Sequence, residues 1–232
     1  MAKLIKQKNE KLTVVVVGAS RGIGLATAQY FEAQGWNCIR AARSLSSKKA
    51  NEFKLDVTQQ DSINEMFDGL SKAKTKVNLF IFSAGIGHFG PIEKLSNKAW
   101  DECISVNLTG AFMFLKSAYK YFLSQKSKGR IYVIGSVADH LALEGNAAYA
   151  ASKFGLRGLV SVMHEEGRVH GISSTLLSLG ATYTDIWKSR PEFSSKDMLT
   201  SKEVAQTIFN LASLPEQVTI PSIVVTPPKG IL

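Results

Sequence analysis

Tyr149 and Lys153 are the residues of this 232-residue chain whose types and spacing most directly suggest chemistry. They lie four positions apart in a segment, residues 146–170, that is predicted to be helical, so both side chains project from one face of the helix. A tyrosine with a pKa of about 10 is a weak acid. A lysine ammonium about 4 Å away, at an effective dielectric of about 20, favours the tyrosinate by roughly 4 kcal/mol, or about three pK units. The pair is therefore predicted to bring the pKa of Tyr149 close to neutral, where the phenol could donate a proton to an oxygen or accept one.

Two further polar residues precede this pair and could share a site with it. Ser136, thirteen residues before Tyr149, follows a predicted strand over residues 131–135. Asn107 lies within a predicted helix over residues 96–123, where asparagine is unfavourable, and this indicates a local bulge or a polar role. The alternative for the tyrosine and lysine is a chance pair on a helix surface. The alternative for Ser136 is a cap on the turn that follows it.

A glycine-rich turn near the N-terminus could hold a phosphate beside these residues. Four consecutive valines, residues 14–17, predict a strand buried on both faces, and the apolar spacing of residues 23–33 predicts a helix after it. A helix N-terminus offers unpaired N–H groups and the positive end of a dipole to an anion. Gly18 would allow the tight turn, Gly22 the close approach of a pyrophosphate, and Gly24 close packing of helix on strand. The alternative is an ordinary strand-to-helix turn.

The rest of the chain alternates strands with helices, which predicts one α/β domain over residues 1–232 with a flexible tail over residues 1–11. We expect a Rossmann-like, doubly wound, seven-stranded parallel sheet with helices on both faces. Ligands bind beyond the carboxyl ends of the strands in such sheets, so the loops that follow the strands should share one rim. Beyond the strands over residues 14–17 and 131–135, strands are predicted over residues 37–42, 53–57, 77–82, 172–179 and 220–226. Further helices are predicted over residues 61–70 and 201–213.

Composition narrows the classes of function. The net charge of +9 comes from dispersed lysines without a basic stripe interleaved with aromatics, so we expect no nucleic-acid partner. No apolar run reaches the roughly 18 residues needed to span a bilayer, and the N-terminus has no signal-peptide core, so a cytoplasmic protein with no membrane partner is expected. Cys38 and Cys103 are predicted to be buried and reduced. The four histidines show no metal-ligand spacing, and no metal is expected.

Taken together, these motifs resemble the short-chain dehydrogenase/reductase family. The resemblance rests on GASRGIG, on Asp56 with Val57, on the SAG sequence at residues 83–85, and on Asn107, Ser136, Tyr149 and Lys153 in this order. It implies a catalytic tetrad of those last four residues and hydride transfer between a nicotinamide and a carbonyl or alcohol. Tyr149 would be the general acid or base, Ser136 would hold the substrate oxygen, and Asn107 would anchor a water. Ser83 and Leu179 depart from the family pattern, where asparagine and proline are more usual.

The resemblance and the charges near the turn predict NADP(H) as the cofactor. An acidic residue at the end of the second strand would bind the ribose of NAD, whereas this chain has Ala42 followed by Arg43, with Arg21 in the glycine turn. Two guanidinium groups suit a 2′-phosphate, and the alternative is a pair of solvated arginines. Asp56 could instead cap a strand end, and Thr184 could cap a helix. The predicted cofactor contacts are Gly18, Ser20, Arg21, Gly22, Ile23, Gly24, Arg43, Asp56, Val57, Ala84, Gly85, Tyr149, Lys153, Gly180 and Thr184.

Several predictions concern the surroundings of the site. Residues 183–196, with Ile186, Trp187 and Phe193, could form an apolar cover over the substrate or could be packing residues. Asp139 and His140 are expected to form a loop pair that faces water, and the alternative is that they contact the substrate or aid proton transfer. The apolar helices over residues 96–123 and 146–170 predict a homodimer or homotetramer. The chain between Arg43 and Asp56 is too short for a crossover helix, which should leave the adenine edge open. The competing function is a catalytically silent NADP(H)-sensing regulator; a sugar epimerase is less favoured because there is no large C-terminal substrate domain.

Overall fold

A seven-stranded parallel sheet forms the centre of the molecule. The computed structural model describes residues 11–47, 49, 51–185 and 194–230. The sheet order is β3-β2-β1-β4-β5-β6-β9, which reverses direction between β1 and β4 as in doubly wound folds. The strands are β1 Thr13–Val17, β2 Asn37–Ala42, β3 Glu52–Lys54, β4 Leu79–Phe82, β5 Gly129–Ile134, β6 Ile172–Leu179 and β9 Ser222–Val225, while β7 Thr182–Tyr183 and β8 Leu199–Thr200 pair separately.

Helices cover both faces of this sheet. They are α1 Gly22–Ala33, α2 Gln60–Lys72, α3 Asn97–Ile104, α4 Ala111–Ser124, α5 Ala147–Gly167 and α6 Ser201–Ala212. Residues of α2, α4 and α5 pack with Val15 and Val17 in one apolar core, and residues of α1 and α6 pack with Val14 and Val16 in the other. The four valines are thus buried alternately on the two faces, as their unbroken apolar run predicts.

The predicted helix over residues 96–123 is divided by a π-helical segment, Ser105–Gly110, that contains Asn107. The bulge expected from an asparagine in a helix interior is therefore confirmed. It separates α3 from α4, whose apolar residues pack against the sheet. A π-bulge widens one turn of a helix and re-aims the side chains on it, which is why such bulges are frequent at functional sites.

The end of β3 differs from the sequence prediction. β3 ends at Lys54, and not at Val57, because the chain turns at Asp56, whose Oδ1 accepts hydrogen bonds from the N–H and the hydroxyl of Thr58 at 3.0 and 2.7 Å. The described residues between β2 and β3 form turns and bends only, so the predicted lack of a crossover helix there is confirmed. The small parallel β7–β8 sheet was not predicted from the sequence.

Most of the predicted cover, including Ile186, Trp187 and Phe193, lies outside the described residues, and so do residues 1–10 of the tail predicted over residues 1–11. Within the described part of the chain, no helix combines the length and the apolar character that crossing a bilayer requires.

Candidate active site

One cavity of about 990 Å³ opens at the carboxyl ends of the central strands. All of the predicted site residues except Asn107 line it, so loops far apart in sequence meet at one rim. The lining residues include Gly18, Ser20, Arg21, Gly22, Ile23, Gly24, Arg43, Asp56, Val57, Ala84, Gly85, Ser136, Tyr149, Lys153, Gly180 and Thr184.

The glycine turn at one end of this cavity leaves no room for side chains. Gly18 has φ +80°, and a Cβ there would lie 2.7 Å from the backbone nitrogen of Ala84. A Cβ on Gly24 would overlap the carbonyl oxygen of Gly18, so α1 can approach the turn only because residue 24 is glycine. Gly22, at φ +55°, begins α1.

The N-terminus of α1 has the features of an anion site. Its N-cap residue, Arg21, makes no side-chain capping hydrogen bond, and its first turn contains no acidic residue. The first-turn N–H groups and the positive end of the helix dipole therefore lie at the cavity wall without an internal anion. This arrangement fits the pyrophosphate of a dinucleotide, and a Cβ on Gly22 would lie 3.5 Å from Thr184 Cγ2 at the same cavity wall.

The catalytic candidates cluster at the middle of the cavity. Lys153 Nζ lies 5.5 Å from the centre of the Tyr149 ring and donates a hydrogen bond to the carbonyl oxygen of Ile134 at 3.0 Å. Ser136 lines the same cavity as Tyr149, and beside the larger, opposite effect of burial its side chain lowers the pKa of the Tyr149 phenol. Ser136 Oγ also accepts a hydrogen bond from the N–H of Ala138 at 3.2 Å, so the serine caps its turn and faces the cavity at once. Ser136 therefore both caps its turn and lines the cavity, two roles that the sequence left as alternatives.

The pKa of Tyr149 shifts in the opposite direction from the sequence prediction. Burial raises it to about 12, and the side chain of Ser136 opposes that rise. Burial also lowers the pKa of Lys153 to about 8, because the low-dielectric surroundings disfavour its charged form. The prediction placed a fully charged ammonium about 4 Å from the phenol and omitted the desolvation that both groups undergo in the same cavity wall.

Asn107 lies behind the cavity wall and not in it. Its side chain is fully buried; Oδ1 accepts the N–H of Ile86 at 2.9 Å and Nδ2 donates to the carbonyl oxygen of Ile86 at 2.8 Å. Nδ2 also donates to Ser152 Oγ at 3.1 Å. Asn107 thus ties the loop after β4 to α5, and its expected contact with a water remains a prediction.

The two basic candidates flank the entrance of the cavity. Arg21 is 71% exposed and forms an ion pair of 3.6 Å with Asp185, which is 45% exposed. Arg43 is exposed at the end of β2. An exposed ion pair contributes little to stability, so the Asp185 contact leaves Arg21 available to exchange partners.

The structure also shows site residues that the sequence did not single out. Phe89 packs its ring against that of Tyr149, with ring centres 5.7 Å apart, and Leu143 and Glu144 line the same end of the cavity. The loops that carry them are joined by a hydrogen bond of 2.8 Å from Gly90 N to the carbonyl oxygen of Gly145. No local spacing indicates these residues; only the placement of both loops on one rim could have done so.

Asp139 corrects a further prediction. Its side chain is fully buried and does not face water, because its carboxylate is bonded to Ser178, Arg157 and His140. Cys38 and Cys103 are buried as predicted, and burial raises the pKa of each thiol. In the described ranges no three histidine, cysteine, aspartate or glutamate residues are grouped as metal ligands.

Comparison with known proteins agrees with this geometry. A family model for the short chain dehydrogenases matches residues 12–195. The chain belongs to this family. A short-chain dehydrogenase is an oxidoreductase with a nicotinamide cofactor, which accounts for a glycine turn and a tyrosine-lysine pair in one cavity.

Its relatives within the family differ in substrate and cofactor. The chain is 30% identical to the 3-oxoacyl-[acyl-carrier-protein] reductase of Buchnera aphidicola, across 89% of this chain and 91% of that protein. It resembles the structure of an alcohol dehydrogenase from Thermococcus sibiricus complexed with 5-hydroxy-NADP, with 25% identity and a TM-score of 0.84 over 94% of this chain and 97% of the other. It also resembles a 4-hydroxyisoleucine dehydrogenase complexed with NADH, with 26% identity and a TM-score of 0.81 over 93% and 96% of the two chains. Family membership therefore leaves the substrate, and the choice between NADPH and NADH, to be argued from this chain's own residues.

Proposed function

We propose that the protein is an NADP(H)-dependent carbonyl reductase or alcohol dehydrogenase in which Tyr149 is the general acid and base. The observation that carries the proposal is that Ser136, Tyr149 and Lys153 line the same cavity as the glycine turn, with Lys153 Nζ 5.5 Å from the centre of the Tyr149 ring. These groups can bind and protonate a carbonyl oxygen next to a bound dinucleotide.

Each residue of the proposed tetrad would have a separate role in the reaction at the substrate oxygen. When bound, the cofactor supplies or accepts the hydride. Ser136 would donate a hydrogen bond to the oxygen, and Tyr149, whose pKa of about 12 keeps it protonated at neutral pH, would transfer its proton as negative charge develops there. Lys153, held by the carbonyl of Ile134, would stabilise the resulting tyrosinate and could bind the nicotinamide ribose. Asn107 would anchor a water for proton return.

The preference for NADP(H) rests on charge at the adenosine end. Arg21 and Arg43 both line the cavity, and β2 ends in Ala42, so no carboxylate at that position repels a phosphate. Guanidinium groups bind phosphate oxygens through paired hydrogen bonds, and an exposed arginine can turn toward the ligand.

The substrate end favours a small carbonyl compound with an apolar portion. Phe89 packs against Tyr149, Leu143 lines the same cavity, and Glu144 adds one carboxylate to its lining. We propose that the protein acts in the reducing environment of the cytoplasm, where two free, buried cysteines are stable. A homodimer or homotetramer formed through α3, α4 and α5 would cover the exposed aromatic residues on those helices.

A catalytically silent NADP(H)-sensing regulator remains the second candidate. It would use the same glycine turn and arginines but would have no need for Tyr149 beside Lys153 and Ser136. The presence of all three residues around one cavity favours turnover.

Turnover with paired variants tests the proposal. NADPH and NADH consumption would be followed with a panel of ketones, aldehydes, quinones and 3-oxoacyl thioesters. We expect Tyr149→Phe to lower kcat by about 100-fold or more while it still binds NADPH. We expect the double variant Arg21→Ala and Arg43→Ala to weaken NADPH far more than NADH, with Arg168→Ala, an exposed arginine after α5, as the control.

Three results would count against the proposal. Turnover unaffected by Tyr149→Phe would reject Tyr149 as the acid. Equal losses for NADPH and NADH in the double arginine variant would reject the cofactor preference. Tight NADPH binding without turnover of any carbonyl would favour the regulator.

A further inference from the structure

Asp139 is a buried carboxylate that the proposed reaction does not use, and it lies three residues after Ser136. Its Oδ1 accepts hydrogen bonds from Arg157 on α5 at 3.0 Å and from His140 at 2.5 Å, and its Oδ2 accepts one from Ser178 on β6 at 2.5 Å. One side chain thus connects the turn that carries Ser136 with a neighbouring strand and with the helix that carries Tyr149 and Lys153.

The neighbouring backbone is adapted to this carboxylate. A Cβ on Gly135 would lie 2.8 Å from Asp139 Oδ2, so the space that the carboxylate fills exists because residue 135 has no side chain. The N–H of Asp139 also donates to the carbonyl oxygen of Ser136 at 2.8 Å. The turn is therefore fixed at both ends: by the hydrogen bond from the N–H of Ala138 to Ser136 Oγ, and by the anchored side chain of Asp139.

The anchor acts on the same helix as the reacting groups. Arg157 follows Lys153 by four residues, one turn of α5, and its guanidinium is about 39% exposed while Asp139 is fully buried. The Asp139–Arg157 pair thus fixes the distance between the serine turn and the helix face that presents Tyr149. Displacement of a positioned group by about 1 Å can cost about 100-fold in rate.

We propose that Asp139 is a positioning residue that anchors the turn of Ser136 to β6 and to the helix face that carries Tyr149 and Lys153. This proposal rests on the proposed function for its effect on turnover. Beside the larger effect of burial, the Asp139 carboxylate raises the pKa of both Tyr149 and Lys153. The other ionisable groups around Tyr149 and Lys153 are Cys103 from α3, Arg157 from α5, His140 in the turn after Ser136 and Glu144 on the cavity rim.

Asp139→Asn separates positioning from mere stability, because it keeps the shape and removes the charge. We expect kcat for carbonyl reduction to fall by about 10- to 100-fold with KM changed little. We also expect the alkaline limb of the kcat profile to move to lower pH by about half a unit or more, since loss of a nearby negative charge makes Tyr149 a stronger acid. Glu165→Gln, which breaks the exposed Glu165–Arg168 pair at the end of the same helix, is the matched control and should change neither quantity.

A second readout does not depend on turnover. The tyrosinate absorbance of Tyr149, taken as the difference between the protein and its Tyr149→Phe variant after a rapid pH jump, should titrate at lower pH in Asp139→Asn. Arg157→Gln should lower kcat without that downward shift, because it removes the anchor and keeps the carboxylate. If Asp139→Asn does not fold, Ser178→Ala removes one hydrogen bond of the cluster and should lower kcat in the same way as Arg157→Gln.

The outcomes separate this inference from the proposed function. Two results would overturn the role of Asp139. One is that Asp139→Asn changes neither the tyrosinate titration nor kcat. The other is that Asp139→Asn lowers stability but leaves the tyrosinate titration unchanged. Failure of the unsubstituted protein to turn over any carbonyl would contradict the proposed function, while the tyrosinate titration would still decide whether Asp139 acts on Tyr149.

Discussion

At the scale of single residues, burial controls the protonation of the site more strongly than the contact between Tyr149 and Lys153 does. The pKa of Lys153 falls to about 8 although a buried carboxylate lies nearby. The spacing of a tyrosine and a lysine in a sequence identifies the pair but carries no information on how much water reaches it. The residue types could therefore be predicted from the sequence, whereas their pKa values could not, because those values depend on how far the cavity wall excludes water.

The lowered pKa of Lys153 predicts a pH-dependent cost to folding. The folded protein binds this proton less tightly than the unfolded chain does, so the cost is complete below pH 8, declines as the pH rises from 8 to 10.5 and is absent above that range. Lys153→Met should therefore stabilise the protein at pH 7 by about 1–3 kcal/mol, and the gain should fade by about pH 10.

Urea denaturation at the two pH values measures this gain. Lys120→Met, at an exposed lysine of α4, is the control and should show no such dependence. If Lys153→Met stabilises the protein equally at both pH values, or destabilises it at pH 7, then burial of the Lys153 ammonium carries no electrostatic cost to folding.

At the scale of secondary-structure elements, the π-helical segment Ser105–Gly110 links two parts of the site. Its Asn107 forms hydrogen bonds with both backbone groups of Ile86 and with Ser152 on α5. The widened turn lets a polar side chain of a core helix reach a loop, which a regular helix would not allow at this position.

Removal of this link should destabilise the protein and loosen the loop after β4. Asn107→Ala leaves the N–H and carbonyl oxygen of Ile86 without their partner, and we expect a loss of about 2–4 kcal/mol in the free energy of unfolding. Asn97→Ala, at an exposed position on α3, should cost less than about 1 kcal/mol and serves as the control. Denaturant unfolding measures both values, and equal small losses would show that the Asn107 link contributes no stability.

Sequence periodicity predicted the long elements well and the short ones poorly. Buried strands such as β1 have an unbroken run of valines, and α5 has a long apolar stripe, so both are visible without tertiary contacts. The end of β3 depends on a turn at Asp56, and β7 pairs with β8, a strand that lies farther along the chain. The local sequence pattern therefore cannot predict either feature. The cluster around Asp139 was missed for the same reason, because its partners lie 18 and 39 residues away.

At the scale of the whole molecule, two helices leave large apolar side chains in contact with solvent. Phe112 on α4 is 45% exposed and Phe154 on α5 is 48% exposed. Large exposed apolar side chains can mark a protein–protein interface, and these two favour the proposed association of subunits.

Charge placed on these helices should separate the subunits. We expect sedimentation velocity at micromolar concentration to give a dimer or tetramer for the unsubstituted protein and a monomer for the double variant Phe112→Glu and Phe154→Glu. Val218→Glu, at a 41% exposed residue in the loop before β9, is the control and should not change the mass. A monomeric unsubstituted protein would contradict the association.

The close packing around Gly135 limits which residues position 135 can accept. A Cβ at residue 135 would lie 2.8 Å from the Asp139 carboxylate, 3.0 Å from Leu176 Cδ1 and 3.2 Å from the carbonyl oxygen of Leu177. A smaller residue at 139 would remove only the first of these contacts, because the other two come from β6. Glycine at 135 should therefore be retained in sequences where residue 139 differs, and a designer who varies the two positions together gains no freedom at residue 135.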